Sequence, residues 1–571
     1  MPTFPALPDS LPSAAAGALV RGGLLVAVLC AYMLLVEGVG GFSTEFIHHQ
    51  LIELGLVLYL YTLFHAVLKP GRWRSVLAAL PLLLIYLVHD LFYLAMGKVF
   101  RLANVTEFPE LVQVLPVSYA ALLLAALGVP LALFLLRVDY RRPRRLALWF
   151  VPLILVAVGV KAAPEAFSRS FEQLASEIVT YSDGKSVEHN GRLAMLAYRE
   201  AQRSAALAQL GPWQERARYD QEAVALVEAL RPHDTRRNVH LIVLESFLDP
   251  RLFRDLRFSS PPVHPAFERL FGDRLGLSRA PVFGGSTSQS EFEVLCGVPA
   301  FEAFSGVEFN VFGGAPAHCL PGVLGALGYR SVASNAYKPN FFNTLAAYQG
   351  AGFAERYFPK AYSAASETYL KLDDPGVEEY GFDRPLLERN LEFVRAHRQQ
   401  HPDRPLFNYV LTIYGHTPHL LDPARRPERI GLVSNYPDDH LQRSVNQFYY
   451  RTEAIAAYLE RLREIDPDSL VILVSDHVPP LRNGPNTYEA LGYLGNRPDA
   501  TYYNRIAILE NGRPQVYPEL RHYELPALVL DYLSDGAYCR EHGCAFRDGG
   551  RRVAREAYRE RYLRLMAHAA Q

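Results

Sequence analysis

An excess of positive charge is missing from this chain: 58 Lys and Arg stand against 59 Asp and Glu, a net charge of −1 over 571 residues. No basic stripe interleaved with aromatics occurs either, so nucleic acid is excluded as a partner, because phosphate backbones are held by clustered cations. Cysteine is scarce, with five in all. Cys30 lies in an apolar run, whereas Cys296, Cys319, Cys539 and Cys544 lie in the later part of the chain. Bridges Cys539–Cys544 and Cys296–Cys319 are both open, with buried free thiols as the alternative, since connectivity is not readable from sequence. Internal repeats are absent, and so are low-complexity tracts beyond a Pro/Ser-rich N-terminus.

What the first 160 residues have is apolar length. A hydrocarbon core is crossed by about 20 residues of helix, and runs of that order stand at 17–36, 51–68, 76–96, 116–136 and 146–160, which predicts five spans. The fifth is short, so four spans and an interfacial helix is the alternative. A cleaved signal peptide does not account for five successive runs. Short cytoplasmic loops are enriched in Lys and Arg. Residues 37–50 contain neither, while Lys69, Arg72 and Arg74 follow the second run and Arg137, Arg141, Arg142, Arg144 and Arg145 follow the fourth. The N-terminus is therefore expected inside a bacterial cytoplasmic membrane, with everything after residue 161 on the outer face. His89 and Asp90 interrupt the third run, and ionisable groups at such depth point to contact with a lipid head group or with water at the outer end.

Residues 161–235 read as a helical juxtamembrane connector. From 236 to 571 the texture changes to β-rich runs, "NVHLIVLES", "YRSVASN", "LFNYVLTIYGH", "LVILVSDH" and "NRIAILEN", separated by helix-length stretches. That alternation predicts an α/β domain with a mainly parallel central sheet, whose ligand site lies at the carboxyl ends of the strands. The fold class expected is thus an α-helical membrane domain over 1–160 followed by an extracytoplasmic α/β domain.

Polar residues at those strand ends carry the chemistry. "HLIVLES" ends in Glu245 and "LVILVSDH" in Asp476 and His477, and with one hydroxyl oxygen they make a four-ligand site for a divalent cation such as Zn²⁺ or Mn²⁺. The hydroxyl comes from "FGGSTSQSEFEVLCG", residues 283–297, where Ser288 and Glu291 also fit a Ser-x-x-Glu capping box. Ser286, Thr287 and Ser288 are not separable on this ground.

Strand-Glu, then "TSQSEF", then "GHTP", then strand-"SDH", in this order behind membrane spans, resembles the lipoteichoic acid synthase and phosphoglycerol transferase group of the alkaline phosphatase/sulfatase superfamily. The resemblance implies that Glu245, Thr287, Asp476 and His477 are metal ligands, that Thr287 is the nucleophile, and that His416 contacts the phosphate or leaving group. It implies one divalent ion, Mn²⁺ first and Mg²⁺ or Zn²⁺ as alternatives. The implied reaction moves phosphoglycerol from a phosphatidylglycerol-like lipid to an extracytoplasmic glycan or glycolipid through a phospho-threonine. His419 has no counterpart and reads as a surface-loop histidine. Where the group has Trp-Asn-Arg, this chain has "KPNFFNTL", so Phe342 stands for the tryptophan and Thr344 for an arginine that holds glycerol phosphate. Tyr337, Lys338, Phe342 and Asn343 are the resulting substrate-site candidates.

Two other activities remain beside this one. Phosphoethanolamine transfer to lipopolysaccharide or glucan would tolerate the missing arginine. Hydrolysis, as a sulfatase or phosphodiesterase, is the other, although the Cys/Ser-x-Pro-x-Arg context of typical sulfatases is not at the nucleophile position. A non-catalytic binding role would be favoured by loss of Glu245, Thr287, Asp476 or His477, and all four are present.

Overall fold

Apolar runs of two kinds decide the architecture, long ones that can only be helices in lipid and short ones that pair as strands. The computed structural model describes residues 13–38, 50–96, 99–109, 112, 117–141, 143–178, 183–210, 215–362, 368–433, 436–517, 519–547 and 554–571. It divides into two compact units, Met1–Leu207 and Ala208–Gln571.

In the first unit, helices α1 (Ser13–Gly38), α2 (Leu51–Val67), α3 (Arg74–Met96), α4 (Val117–Leu136) and α5 (Pro143–Ala162) stand at the five apolar runs. Length and composition make two of them, Arg74–Leu94 and Val117–Leu136, fit to cross a bilayer. Helix α5, continuing at a 115° bend into α6 (Pro164–Leu174), makes a third if the bent pair is one span. The apolar stretches Val20–Val36 and Leu51–Val67 are shorter, so among the described residues length and composition alone support two spans, or three with the bent pair, where the sequence suggests about five. Leu25, Leu29, Val57, Leu63, Leu82 and Tyr86 pack together between α1, α2 and α3. By contrast Leu122, Leu131, Leu135 and Leu136 on α4 stay exposed, as suits a helix solvated by hydrocarbon.

Asp90 is not left to a lipid head group. Arg192 Nε, at the start of helix α8 (Arg192–Ala208; α7 is Asp183–Asn190), donates to Asp90 Oδ1 at 2.7 Å, with both side chains buried. Glu53 on α2 accepts from the free amides of Leu193 and Ala194 at 3.1 and 2.8 Å, which caps the same helix end. Those polar groups inside the apolar runs therefore anchor a polar helix of the same unit.

The second unit is built on a nine-stranded sheet in the order β4-β3-β5-β1-β6-β7-β2-β9, with β8 paired to β7. The strands are β1 (Val239–Leu244), β2 (Gly276–Arg279), β3 (Arg330–Asn335), β4 (Glu355–Tyr357), β5 (Leu406–Leu411), β6 (Leu470–Ser475), β7 (Tyr503–Glu510), β8 (Arg513–Gln515) and β9 (Glu519–Arg521). Strands β4, β3, β5, β1 and β6 are parallel, and β7 runs antiparallel to β6 and to β2. Every residue of β1, β5 and β6 is buried, which is why these runs are mostly apolar without alternation, and the exceptions His240 and Asn408 hydrogen-bond to each other. The register sets Leu244 opposite Ser475 and Val243 opposite Leu411. Residues that follow these strands, Glu245, Thr412 and Asp476, thereby emerge side by side at one edge.

Candidate active site

Three elements meet at that edge. Glu245 leaves β1, Asp476 and His477 leave β6, and Thr287 is the first residue of helix α9 (Thr287–Cys296). The Thr287 hydroxyl donates to Asp476 Oδ2 at 2.8 Å and to Glu245 Oε2 at 3.2 Å. His477 Nε2 lies 3.2 Å from Asp476 Oδ2 and 3.9 Å from Glu245 Oε1. His477 Nδ1 faces the Val478 carbonyl at 3.0 Å. A carbonyl only accepts, so Nδ1 carries a proton and Nε2 is the nitrogen turned towards the carboxylates.

The donor set fits a divalent cation. One ligand atom from each of Glu245, Asp476 and His477 lies within 4.8 Å of the others, and all three residues are buried. Among the described residues no Lys or Arg pairs with either carboxylate, and burial together with the Asp476 charge pushes Glu245 up to about 8. Two carboxylates kept this close in a dry site call for a cation between them. Ser246 supports both, its hydroxyl donating to Glu245 Oε1 at 2.8 Å and its amide to Asp476 Oδ1 at 2.7 Å.

Geometry also separates the three hydroxyls that the sequence leaves open, because only Thr287 among them reaches both carboxylates in the described residues. The reason is the turn before it. Ser286 is held in the left-handed region at φ 60° and ψ 49° and starts the helix without a side-chain cap. Strain of that kind is tolerated where the surrounding contacts fix it. The expected capping box is not formed. The helix starts two residues earlier than that box requires, with Ser286 rather than Ser288 at the N-cap, and Glu291 turns inward to accept from Tyr409 at 2.8 Å and from the Tyr348 hydroxyl. Burial pushes Glu291 up to about 7. The Ser290 hydroxyl donates to the Asp476 carbonyl, tying α9 to the end of β6.

His416 follows β5 in a partly buried loop, where its Nδ1 faces the Thr417 carbonyl at 2.8 Å, so that Nε2 is the nitrogen left for chemistry. Burial lowers its pKa, and the opposing charges of Asp476 and Glu379 do not fully offset this. The neutral imidazole is therefore the resting form at pH 7, and a step that needs it as base should lose its rate only below pH 6.5. The check is a pH profile of turnover in which His416→Gln loses the acid limb.

Gly415 lets this loop approach. A Cβ there would stand 2.0 Å from the Glu245 carbonyl and 2.3 Å from Arg451 Nη1. Gly415→Ala is expected to cost about 1–3 kcal/mol by overpacking and to weaken metal binding, measured by thermal unfolding and metal titration.

Other sequence candidates lie in the loop after β3. Lys338 Nζ sits 5.3 Å from the centre of the Tyr337 ring, and Phe342 packs on Phe341 at 4.5 Å. The Asn343 amide nitrogen donates to the carbonyls of Phe309 and Phe312 at 2.9 and 2.8 Å, a use internal to the fold. Thr344 is buried and starts the next helix, its hydroxyl donating to the Phe341 carbonyl. His419 is not on the surface as expected but 1% exposed, and burial pushes its pKa down to about 3. Its loop is drawn under helix α11 (Asp439–Ile465; α10 is Asp383–Gln400), where Arg443 Nε and Gln447 Nε2 donate to the carbonyls of Pro418 and Leu420.

Arg451, on α11, had no signal in the sequence. Its guanidinium donates to the Glu245 carbonyl at 2.7 Å, to Thr412 Oγ1 at 3.2 Å and to Asp383 Oδ2 at 2.7 Å. The Glu245 amide in turn donates to Thr412 Oγ1 at 3.1 Å.

The described chain thus carries a mostly parallel α/β domain with a hydroxyl, two carboxylates and an imidazole converging at the strand ends, a donor set that fits a divalent cation. Residues 237–520 match the sulfatase family model, and this part of the chain is a sulfatase-family domain. The chain is similar to a putative cyclic β-1,2-glucan modification protein of Rhizobium meliloti (strain 1021), 24% identical over 268 residues, or 46% of this chain. That match spans 38% of the relative's own length, little more than a third. Among solved structures it is similar to the lipoteichoic acid synthase LtaP of Listeria monocytogenes, with 16% identity and a TM-score of 0.44 over 52% of this chain and 72% of that one. A second is the Streptococcus pyogenes phosphoglycerol transferase GacH in complex with sn-glycerol-1-phosphate, with 18% identity and a TM-score of 0.46 over 62% of this chain and 91% of that one.

Proposed function

We propose that the protein is a membrane-anchored, metal-dependent transferase that moves a phosphoglycerol head group from a phosphatidylglycerol-like lipid to an extracytoplasmic glycan or glycolipid. The observation that carries this reading is the Thr287 hydroxyl hydrogen-bonded to both Asp476 and Glu245 beside His477. Glu245, Asp476, His477 and Thr287 would hold one divalent ion, assigned as Mn²⁺ with Mg²⁺ and Zn²⁺ as alternatives. Such an ion lowers the pKa of a hydroxyl and offsets charge on phosphate oxygens.

In the first half-reaction Thr287 Oγ forms a bond to the donor phosphorus as the bond to the diacylglycerol oxygen breaks. The threonine proton ends on that oxygen. In the second, an acceptor hydroxyl attacks the same phosphorus, Thr287 Oγ leaves, and the acceptor's proton returns to it. His416, neutral at rest and with Nε2 unprotonated, is the group we assign to carry that proton. The N-terminus of α9 adds oriented amides towards the phosphate.

We take the loop charges to put the N-terminus in the cytoplasm and the catalytic unit outside, which requires an odd number of crossings, three if the bent pair is one span. The bridges Cys296–Cys319 and Cys539–Cys544, both formed, suit an oxidising compartment. One observation favours a second reading. Lys338 is the only cation in the 337–344 loop, with Thr344 in place of an arginine, and a zwitterionic phosphoethanolamine head group asks for less positive charge. Mass spectrometry of the full chain after incubation with phosphatidylglycerol or phosphatidylethanolamine decides between them. The reading expects a glycerol phosphate adduct on the peptide holding Thr287. An ethanolamine phosphate adduct, or none with either lipid, would sink it.

A further inference from the structure

A row of aromatic side chains runs from His416 to the surface. The His416 ring lies 5.0 Å from Tyr380, Tyr380 lies 6.5 Å from Tyr337, and Tyr337 lies 5.5 Å from Tyr362 and 5.0 Å from Phe341. Phe342 extends the row 4.5 Å beyond Phe341. Tyr380 is buried, Tyr337, Phe341 and Phe342 are partly exposed, and Tyr362 is 37% exposed. Tyr380 belongs to the core and Tyr337 packs against it, which leaves Phe341, Phe342 and Tyr362 as the outer part of the strip. Large aromatic faces left open to water beside a reactive histidine mark a ligand surface.

We infer that this strip is the acceptor subsite and that its occupant is an uncharged glycan, stacked on Tyr337, Tyr362 and Phe342 with one hydroxyl delivered towards His416. This rests on the transfer reading given above. A sugar ring offers an apolar face of C–H groups and polar edges, the complement of tyrosine and phenylalanine faces flanked by polar side chains. Lys338 over Tyr337 and the exposed Glu379 supply one charge of each sign, so the strip favours neither a polyanion nor a polycation. A lipid tail would need an enclosed apolar groove, whereas Tyr362 is 37% exposed and Tyr337, Phe341 and Phe342 are each partly exposed. In the transfer step the glycan oxygen bonds to phosphorus, the bond from phosphorus to Thr287 Oγ breaks, and the glycan hydroxyl proton passes by His416 to Thr287.

The test uses full-length protein in nanodiscs and cyclic β-1,2-glucan as the probe, with saturation-transfer NMR reading binding. Sugar resonances are expected with the wild type and with Thr287→Ala. They should weaken about fivefold or more in Tyr362→Ala and in Phe342→Ala, the order of one lost stacking contact, and persist in Tyr337→Phe, which keeps the ring. In turnover, Tyr362→Ala should raise the KM for glucan by a similar factor and affect diacylglycerol release less. Undiminished glucan binding in both ring-removing variants would overturn the inference, and so would an equal loss of diacylglycerol release, which would give the strip to the donor lipid. Binding is read without turnover, so it decides the glycan subsite whether or not Thr287 is the nucleophile.

Discussion

Thr287→Ala is expected to lower diacylglycerol release from labelled phosphatidylglycerol by about a thousandfold or more, the scale on which removal of a covalent nucleophile acts. The fold should survive. Thr287 opens α9 without serving as its cap, and its hydroxyl bonds go only to Asp476 and Glu245. Their loss leaves two acceptors short of one donor, about 1 kcal/mol. Thr287→Ser keeps an oxygen at the same place on the helix and should retain measurable turnover. Ser286→Ala and Ser288→Ala are the controls, because neither hydroxyl reaches the two carboxylates, and each should keep activity within about tenfold. Turnover by Thr287→Ala within tenfold of wild type, or collapse in Ser286→Ala alone, would move the nucleophile elsewhere.

The parallel sheet was legible because β1, β5 and β6 are buried on both faces and so spell mostly apolar runs, interrupted by His240 and Asn408, that lead to Glu245, Thr412 and Asp476. Two such endings predict a common edge, and the register of Leu244 against Ser475 turns that edge into contact distance. Strands β2, β4, β8 and β9 were not legible, since three or four residues give no periodicity. The capping box misled for a different reason. Ser288 and Glu291 have its spacing, but the left-handed Ser286 shifts the helix start, and the partners of Glu291 are Tyr348 and Tyr409, far off in sequence. His419 was placed on the surface because a loop histidine usually is, and only the packing of its loop under α11 reverses that. The number of spans is less legible: helices Val20–Val36 and Leu51–Val67 are apolar but shorter than the two described helices that pass by length and composition.

Arg451 is the residue sequence reading could least have found, and its replacement should have the largest effect on stability. It lies inside α11, which reads as an ordinary amphipathic helix, yet it is 1% exposed with Asp383 equally buried. Arg451→Met leaves the Asp383 carboxylate without its cation, which costs about 3–5 kcal/mol for a buried pair broken on one side. It also frees the Glu245 carbonyl and Thr412 hydroxyl from the guanidinium that fixes them. The double variant Arg451→Met with Asp383→Asn removes the stranded charge and should recover much of the lost stability. Metal affinity should stay reduced by about 10- to 100-fold, as when a group that orients a metal ligand is lost. Thermal unfolding and metal titration on the same proteins separate the two roles. If the double variant regains both, Arg451 acts only as the counter-charge of Asp383; if it regains stability alone, Arg451 positions Glu245 for the site.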